Sequence, residues 1–301
     1  MTEDLFEAVI EYPNDWSGKE YDALVGLDDI KESLNEEAGL MLKPELVSQW
    51  SKKLYNRDIA LTGVFLTRPP LFLFSGDVGT GKTALAESFA GRVTKEHGLT
   101  VYLYKLSLNA RGSGMVGEMT KLIAKAFEEI AAEAEKRKNG KSALVLMIDE
   151  ADALAQSREA TQMHHEDRAG VNALIRGIDS LKRLPTPVIV IMCTNRPDSI
   201  DPAVRRRAVQ QYDFSRPTYD NCLKLVSGYL SDIGIGADQL EDIAKKCTTY
   251  NTLKYGYTYS DIVQRLLPVC VITAVPDKPV TYELVIDCID KVRPTPQFKI
   301  T

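Results

Sequence analysis

No apolar run in this chain approaches the ~20 residues that a membrane helix needs, and its first residues, MTEDLFEAVIEYPNDW, lack a basic start followed by an apolar stretch. Neither a membrane span nor a secretory leader is expected, and a cytoplasmic protein is. Cysteine is sparse: Cys193, Cys222, Cys247, Cys270 and Cys288 are widely spaced and form no CxxC pair. That argues against a disulfide framework or a thiolate metal site and predicts reduced, buried thiols. Only three histidines occur, and the adjacent His164 and His165 have no evident third ligand, so no metal is assigned to them. An excess of basic charge is missing too. The 37 Lys and Arg stand against 42 Asp and Glu, a net charge of -5, which argues against nucleic acid or an acidic membrane as the main partner.

What is present suits an ordinary folded protein. The 301 residues, 44% hydrophobic and 26% charged, can build one large domain or two smaller ones. Short apolar runs at 71–74, 99–108, 143–148 and 188–193 read as strands, and Leu122, Ile123, Ala126, Phe127, Ile130 and Ala134 fall at helical spacing between two of them. Continuous apolar strands separated by helices predict an α/β fold whose parallel sheet is buried on both faces. Beyond residues 215–217 the pattern is helical only, at 223–233, 237–247, 260–271 and 282–292. The expected organisation is a short N-terminal extension (1–22), a large α/β nucleotide-binding domain (23–215) and a small all-helical lid (216–301).

The chemistry gathers at strand ends. GDVGTGKT, residues 76–83, fits G-x-x-x-x-G-K-[ST] and lies between an apolar strand and a helix start. Gly76, Val78, Gly79, Thr80 and Gly81 curl backbone N–H groups around phosphate oxygens, with Ala84 in the helix whose N-terminus adds partial positive charge. Lys82 reaches the β and γ phosphates, and the Thr83 hydroxyl ligates Mg²⁺. The run LVLMIDE ends in Asp149 and Glu150. A buried strand does not end in two carboxylates for packing, because an unpaired buried charge costs several kcal/mol. Asp149 is expected to hold Mg²⁺ through its water shell, and Glu150 to polarise the attacking water. Asn195, at the end of the next strand, either orients the same water or serves as a turn residue.

The phosphate loop, IDEAD and TNRPDSIDPAVRRR together resemble the AAA+ ATPases, specifically the AAA clade, from about Tyr21 to the C-terminus. The resemblance implies a five-stranded parallel phosphate-loop NTPase sheet with helices on both faces, a helical lid, ATP with Mg²⁺, and assembly into a hexamer. YDALVGLDDIKESL is similar to the clade's opening segment, which implies that the backbone of Val25 and Gly26 meets the adenine. Asn195 would be sensor 1. The arginines after residues 200–202 would include the finger that completes a neighbour's site, with Arg206 and Arg207 as the expected pair; the other reading of the triplet is a solvated basic turn.

Departures from the clade narrow the subfamily. Arg205, Arg206 and Arg207 are followed by Ala208 and Val209, so the second of the clade's two finger positions is missing, and sensor 2 would fall at about Asp261 or Ile262, neither of which is an arginine. RRRAVQQYDFSRP and QRLLP resemble instead the pachytene checkpoint ATPases, which unfold HORMA-domain proteins. ARGSGMVGEM, residues 110–119, would be the first pore loop, with Met115 and Val116 as an aliphatic grip on the substrate; otherwise the pair folds into the core. The function implied is an ATP-driven ring that pulls on a HORMA-type partner in bacterial cyclic-oligonucleotide anti-phage signalling. The alternative is a nucleotide-gated binding switch or loader acting on nucleic acid, against which the acidic balance counts.

Overall fold

The computed structural model describes residues 5–107, 118–153, 165–251 and 253–297, so Met115, Val116 and His164 lie outside the described residues. The elements run β1 (Phe6–Tyr12), α1 (Ser17–Ala23), α2 (Asp28–Leu42), α3 (Glu45–Tyr55), α4 (Ala60–Leu66), β2 (Leu71–Gly76), α5 (Lys82–His97), β3 (Thr100–Leu106), α6 (Glu118–Lys136), β4 (Ser142–Ile148), α7 (His165–Leu181), β5 (Val188–Thr194), α8 (Pro202–Arg205) and β6 (Ala208–Phe214). Four further helices follow: α9 (Tyr219–Leu230), α10 (Ala237–Thr248), α11 (Leu267–Ala274) and α12 (Tyr282–Lys291). The chain divides into two compact units. One comprises Met1–Asp22, Asp29–Ser75 and Thr83–Asp213, and the other Ala23–Asp28, Gly76–Lys82 and Phe214–Thr301.

In the first unit six strands form one sheet in the order β1-β3-β4-β5-β2-β6. Strand β5 runs parallel to both β2 and β4, and β3 runs parallel to β4. Every residue of β5 is buried. Alternate strand residues face opposite sides of a sheet. In β4, Leu144 and Leu146 pack with α6 and α7, while Val145 and Met147, pointing the other way, are equally buried. Both faces are therefore covered, which is what the unbroken apolar runs require. On one face Ile123, Ala126, Ile130 and Ala134 of α6 and Val171, Leu174 and Ile178 of α7 fill the core.

The expected five-stranded parallel sheet is corrected in one respect. A sixth strand, β1, joins antiparallel to β3 with Phe6 opposite Leu106 and Tyr12 opposite Val101. Its exposure alternates, with Glu7, Val9 and Glu11 outward, as befits a strand at the sheet edge with one face wet. A segment this short and acidic gains strand stability only by pairing with β3.

The second unit has its own core, in which Cys222 and Val226 of α9, Ile243 and Cys247 of α10, Cys270 of α11, and Val285 and Cys288 of α12 are buried together. All five cysteines of the chain are buried, and none is in a disulfide. Thr218 and Thr281 cap α9 and α12 by accepting the amide N–H of Asn221 and Leu284. Pro268 has no N–H to continue a helical ladder, and the turns before it, Asp261–Leu266, widen to a π-helix.

Candidate active site

Strand register brings three strand ends together. Ser75 of β2 lies opposite Thr194 of β5, and Ile148 of β4 lies opposite Met192 of β5. From β2 the chain crosses to β3, three places away in the sheet, and returns through β4 and β5 to pair with β2 again. The carboxyl ends at such a switch in strand order form the crevice where open α/β sheets bind ligands. Asp149, Glu150 and Asn195 follow directly on β4 and β5.

The phosphate loop leaves β2 at Gly76, whose φ of +143° suits glycine alone. A Cβ there would strike the Phe214 carbonyl oxygen. Gly79, at φ +72°, is packed so closely that a Cβ would stand 2.7 Å from the Thr258 hydroxyl. Gly81 also has a positive φ, +99°. Asp77 organises the rest of the loop: its carboxylate accepts the Val78 N–H at 2.9 Å, and its carbonyl accepts the Thr80 hydroxyl at 2.7 Å. Lys82 is buried, with Nζ donating to the carbonyls of Gly76 at 2.9 Å and Asp77 at 2.7 Å. Its charge is thus held at the loop by partial negative charges that a phosphate oxygen can replace. Ala84 lies half-buried in α5, and its carbonyl accepts the Ser88 hydroxyl.

In the first unit the Thr83 hydroxyl donates to Asp149 Oδ2 at 2.8 Å, while Asp149 Oδ1 accepts the Glu150 N–H at 2.9 Å. Glu150 takes φ +50°, an uncommon conformation for a residue with a side chain. It is exposed, with no side-chain partner among the described residues. Asn195 is half-buried, and its amide likewise has no hydrogen bond among the described residues. Asp152, which sequence reasoning did not single out, accepts the Thr194 hydroxyl at 3.0 Å, and Thr194 in turn accepts the Arg196 N–H at 3.0 Å. These contacts fix the end of β5 beside Asn195. The only sequence signal for Asp152 was its place as the third acid of IDEAD.

The arginine triplet is not uniform. Arg205 donates to the Pro197 carbonyl. Arg207 gives two hydrogen bonds, of 3.0 and 2.8 Å, to Asp179 Oδ2 on α7 and a third to the Ala203 carbonyl. Hydrogen bonding from Arg207, opposed by burial and aided by Lys182, holds the Asp179 carboxyl below the usual carboxylate range. Arg206 is exposed and has no side-chain partner among the described residues.

In the second unit Val25 packs against the helical core, and Gly26, at φ +75°, lies directly against the Tyr259 hydroxyl and the Asn221 amide. Burial pushes the Tyr259 phenol up to about 12, with the Asn221 hydrogen bond opposing it. Asp261, at the place expected for a sensor 2 arginine, is buried. It accepts the N–H groups of Thr258 and Thr295, the Thr295 hydroxyl and the Arg265 guanidinium. Burial pushes its carboxyl up, but these hydrogen bonds outweigh it and hold the group below its usual value.

A family model described as "ATPase family associated with various cellular activities (AAA)" matches residues 72–216. The CD-NTase-associated protein 6 of Escherichia coli (strain MS 115-1) is 42% identical over 300 residues, covering 98% of this chain and 96% of that protein. The chain belongs to the AAA family of ATPases. Among solved structures, a chain of the E. coli MS115-1 HORMA:CdnC:Trip13 complex superposes on this AAA ATPase with a TM-score of 0.92 at 41% identity, covering 99% of each chain. A Rhizobiales Trip13 structure gives 0.74 at 36% identity, with 97% of this chain and 100% of that chain covered. The residues of the AAA site suit Mg²⁺. The Thr83 hydroxyl and Asp149 carboxylate are hard oxygen donors close together, and a cation that keeps most of its waters and takes phosphate oxygens needs few protein ligands. No helix among the described residues is long and apolar enough to cross a membrane.

Proposed function

We propose that this AAA ATPase is an ATP-driven protein remodeller, working as a ring of identical subunits, expected to be a hexamer, on a partner of HORMA type in bacterial cyclic-oligonucleotide anti-phage signalling. One observation carries the hydrolytic reading: Thr83 and Asp149 meet at 2.8 Å at the strand ends, and Glu150 stands next to them, exposed and unpaired among the described residues. The phosphates of ATP are received by the backbone N–H groups of the loop and by Lys82, whose ammonium exchanges loop carbonyls for phosphate oxygens. Thr83 and Asp149 would hold Mg²⁺, which would supply charge neutralisation at those phosphates. Glu150 orients the attacking water and accepts its proton, with the Asn195 amide as a second hydrogen-bonding partner.

Arg206 is the finger in this reading and acts on the γ-phosphate of a neighbouring subunit. Arg207, expected as its companion, is instead engaged by Asp179. Met115 and Val116 are assigned the grip on the translocated polypeptide. The choice of partner is supported by the relatives: one is named CD-NTase-associated protein 6, and one structurally similar chain comes from a complex with HORMA and CdnC. The reading is tested by measuring Mg²⁺-dependent ATP hydrolysis by the purified chain with and without a bacterial HORMA-domain protein. Hydrolysis stimulated by that protein is expected; a rate that is zero in both conditions contradicts the proposal.

A further inference from the structure

The phosphate loop carries an acid, Asp77, where a polyanion is to bind, and one arginine answers it. The Arg216 Nε donates to Asp77 Oδ2 at 2.7 Å and a terminal nitrogen stands 2.6 Å from the same oxygen as an ion pair, leaving Oδ1 for the Val78 N–H. The other donors reach the carbonyls of Gly256 at 2.6 Å and Thr295 at 2.7 Å, and the guanidinium lies 4.9 Å from the centre of the Tyr255 ring. Both charged side chains are largely buried, 10% and 15% exposed. A single cation therefore holds the loop to the segment before the π-helix and to the stretch beyond α12. Thr295 is shared with Asp261, whose carboxylate accepts its N–H at 2.9 Å. The Ser260 N–H donates to the Gly79 carbonyl at 3.1 Å, a second tie on the same loop.

We propose that Arg216 is a positioning residue for nucleotide binding: acting through Asp77, it sets the curl of the phosphate loop and cancels the Asp77 charge that would otherwise face the incoming phosphates. The carbonyl of Asp77 also accepts both Thr80 and Lys82, so the residue that Arg216 holds is the one on which the loop is organised. This proposal rests on the ATP reading above. Binding of a fluorescent ATP analogue by the wild-type chain, and its loss in Lys82→Ala, tests that reading separately.

The test compares Arg216→Gln, Asp77→Asn and the double variant by analogue affinity, steady-state ATPase kinetics and thermal melting. An unbalanced carboxylate beside the phosphates is expected to weaken binding in Arg216→Gln by at least ~10-fold, as a rise in KM with kcat within ~3-fold of wild type. Removing that carboxylate in the double variant is expected to restore affinity to within ~3-fold of wild type, a coupling that independent sites do not show. A folded Arg216→Gln that binds with wild-type affinity overturns the proposal. So does a double variant no better than Arg216→Gln, because Arg216 would then matter only for the carbonyls it holds. Should Arg216→Gln fail to fold, Arg216→Lys decides: it keeps the charge but not the fork of donors. Affinity within ~3-fold of wild type supports charge balance, and a loss of ~10-fold or more contradicts it.

Discussion

The arginine triplet yields the sharpest contrast between neighbouring residues. A finger arginine is worth ~10³–10⁵ in kcat, which at 1.36 kcal/mol per decade is ~4–7 kcal/mol of transition-state stabilisation. Arg206, exposed and unpaired among the described residues, is the one free to supply it. Arg206→Ala should therefore lose at least ~1,000-fold in turnover while keeping its melting temperature and ATP affinity, since a finger acts only in the transition state. Arg207 does different work. Its ion pair with the partly exposed Asp179 contributes ~0.2–1 kcal/mol, and its hydrogen bond to the Ala203 carbonyl ~0.5–1.5 kcal/mol. Arg207→Ala should lose ~0.7–2.5 kcal/mol in total, a fall of about 1–10 °C in Tm for a domain of this size, with turnover changed far less. ATPase rates, melting curves and analogue binding on the two single variants separate the roles. Mixing Arg206→Ala with Lys82→Ala, each inactive alone, should recover part of the activity where an intact pocket meets an intact finger. Full turnover in Arg206→Ala, or no recovery in mixtures shown by mass to contain both chains, would refute the assignment.

Glu150→Gln should bind ATP with Thr83, Asp149 and Lys82 intact but turn over at least ~100-fold more slowly; loss of ATP binding instead would give Glu150 a structural role. Changing Met115 and Val116 together to Ser should abolish partner stimulation of the ATPase while leaving the basal rate and Tm unchanged, whereas a parallel fall in Tm and basal rate would mean that the pair is core. Asp261 has a depressed pKa in the folded chain, so its contribution is complete above the ordinary value of 3.8 and is lost as pH falls further. The Tm advantage of wild type over Asp261→Asn should accordingly be constant from pH 7 down to ~5 and shrink below ~4; a difference that persists unchanged to pH 3 contradicts the role of the ionised group.

Strands β2, β4 and β5 were legible because full burial on both faces demands unbroken apolar runs, and the phosphate loop because its glycines, lysine and threonine stand at a fixed spacing. β1 was not. FEAVIEY sets Glu7 and Glu11 two places either side of Val9, an alternation that its apolar middle interrupts, and only pairing with β3 distinguishes it from a solvated acidic tail. Three adjacent arginines look alike in sequence; the end of α8 turns Arg207 toward Asp179 and leaves Arg206 in solvent. Asp77 and Arg216 are separated by 139 residues, and no local propensity predicts which acid a distant arginine will choose. Asp152 was passed over for a related reason, because its role depends on a hydroxyl of the adjacent strand.

In the function proposed above, ATP hydrolysis by this chain does mechanical work on a folded partner. The most direct measurement is hydrogen exchange of a HORMA-domain protein, incubated with the wild-type chain under ATP, ADP or a non-hydrolysable analogue, and with Glu150→Gln under ATP. Buried amides of the partner open only by unfolding, so accelerated exchange in a contiguous segment is predicted with wild type and ATP alone. Equal protection in all four conditions, while ATP is being consumed, would contradict the account.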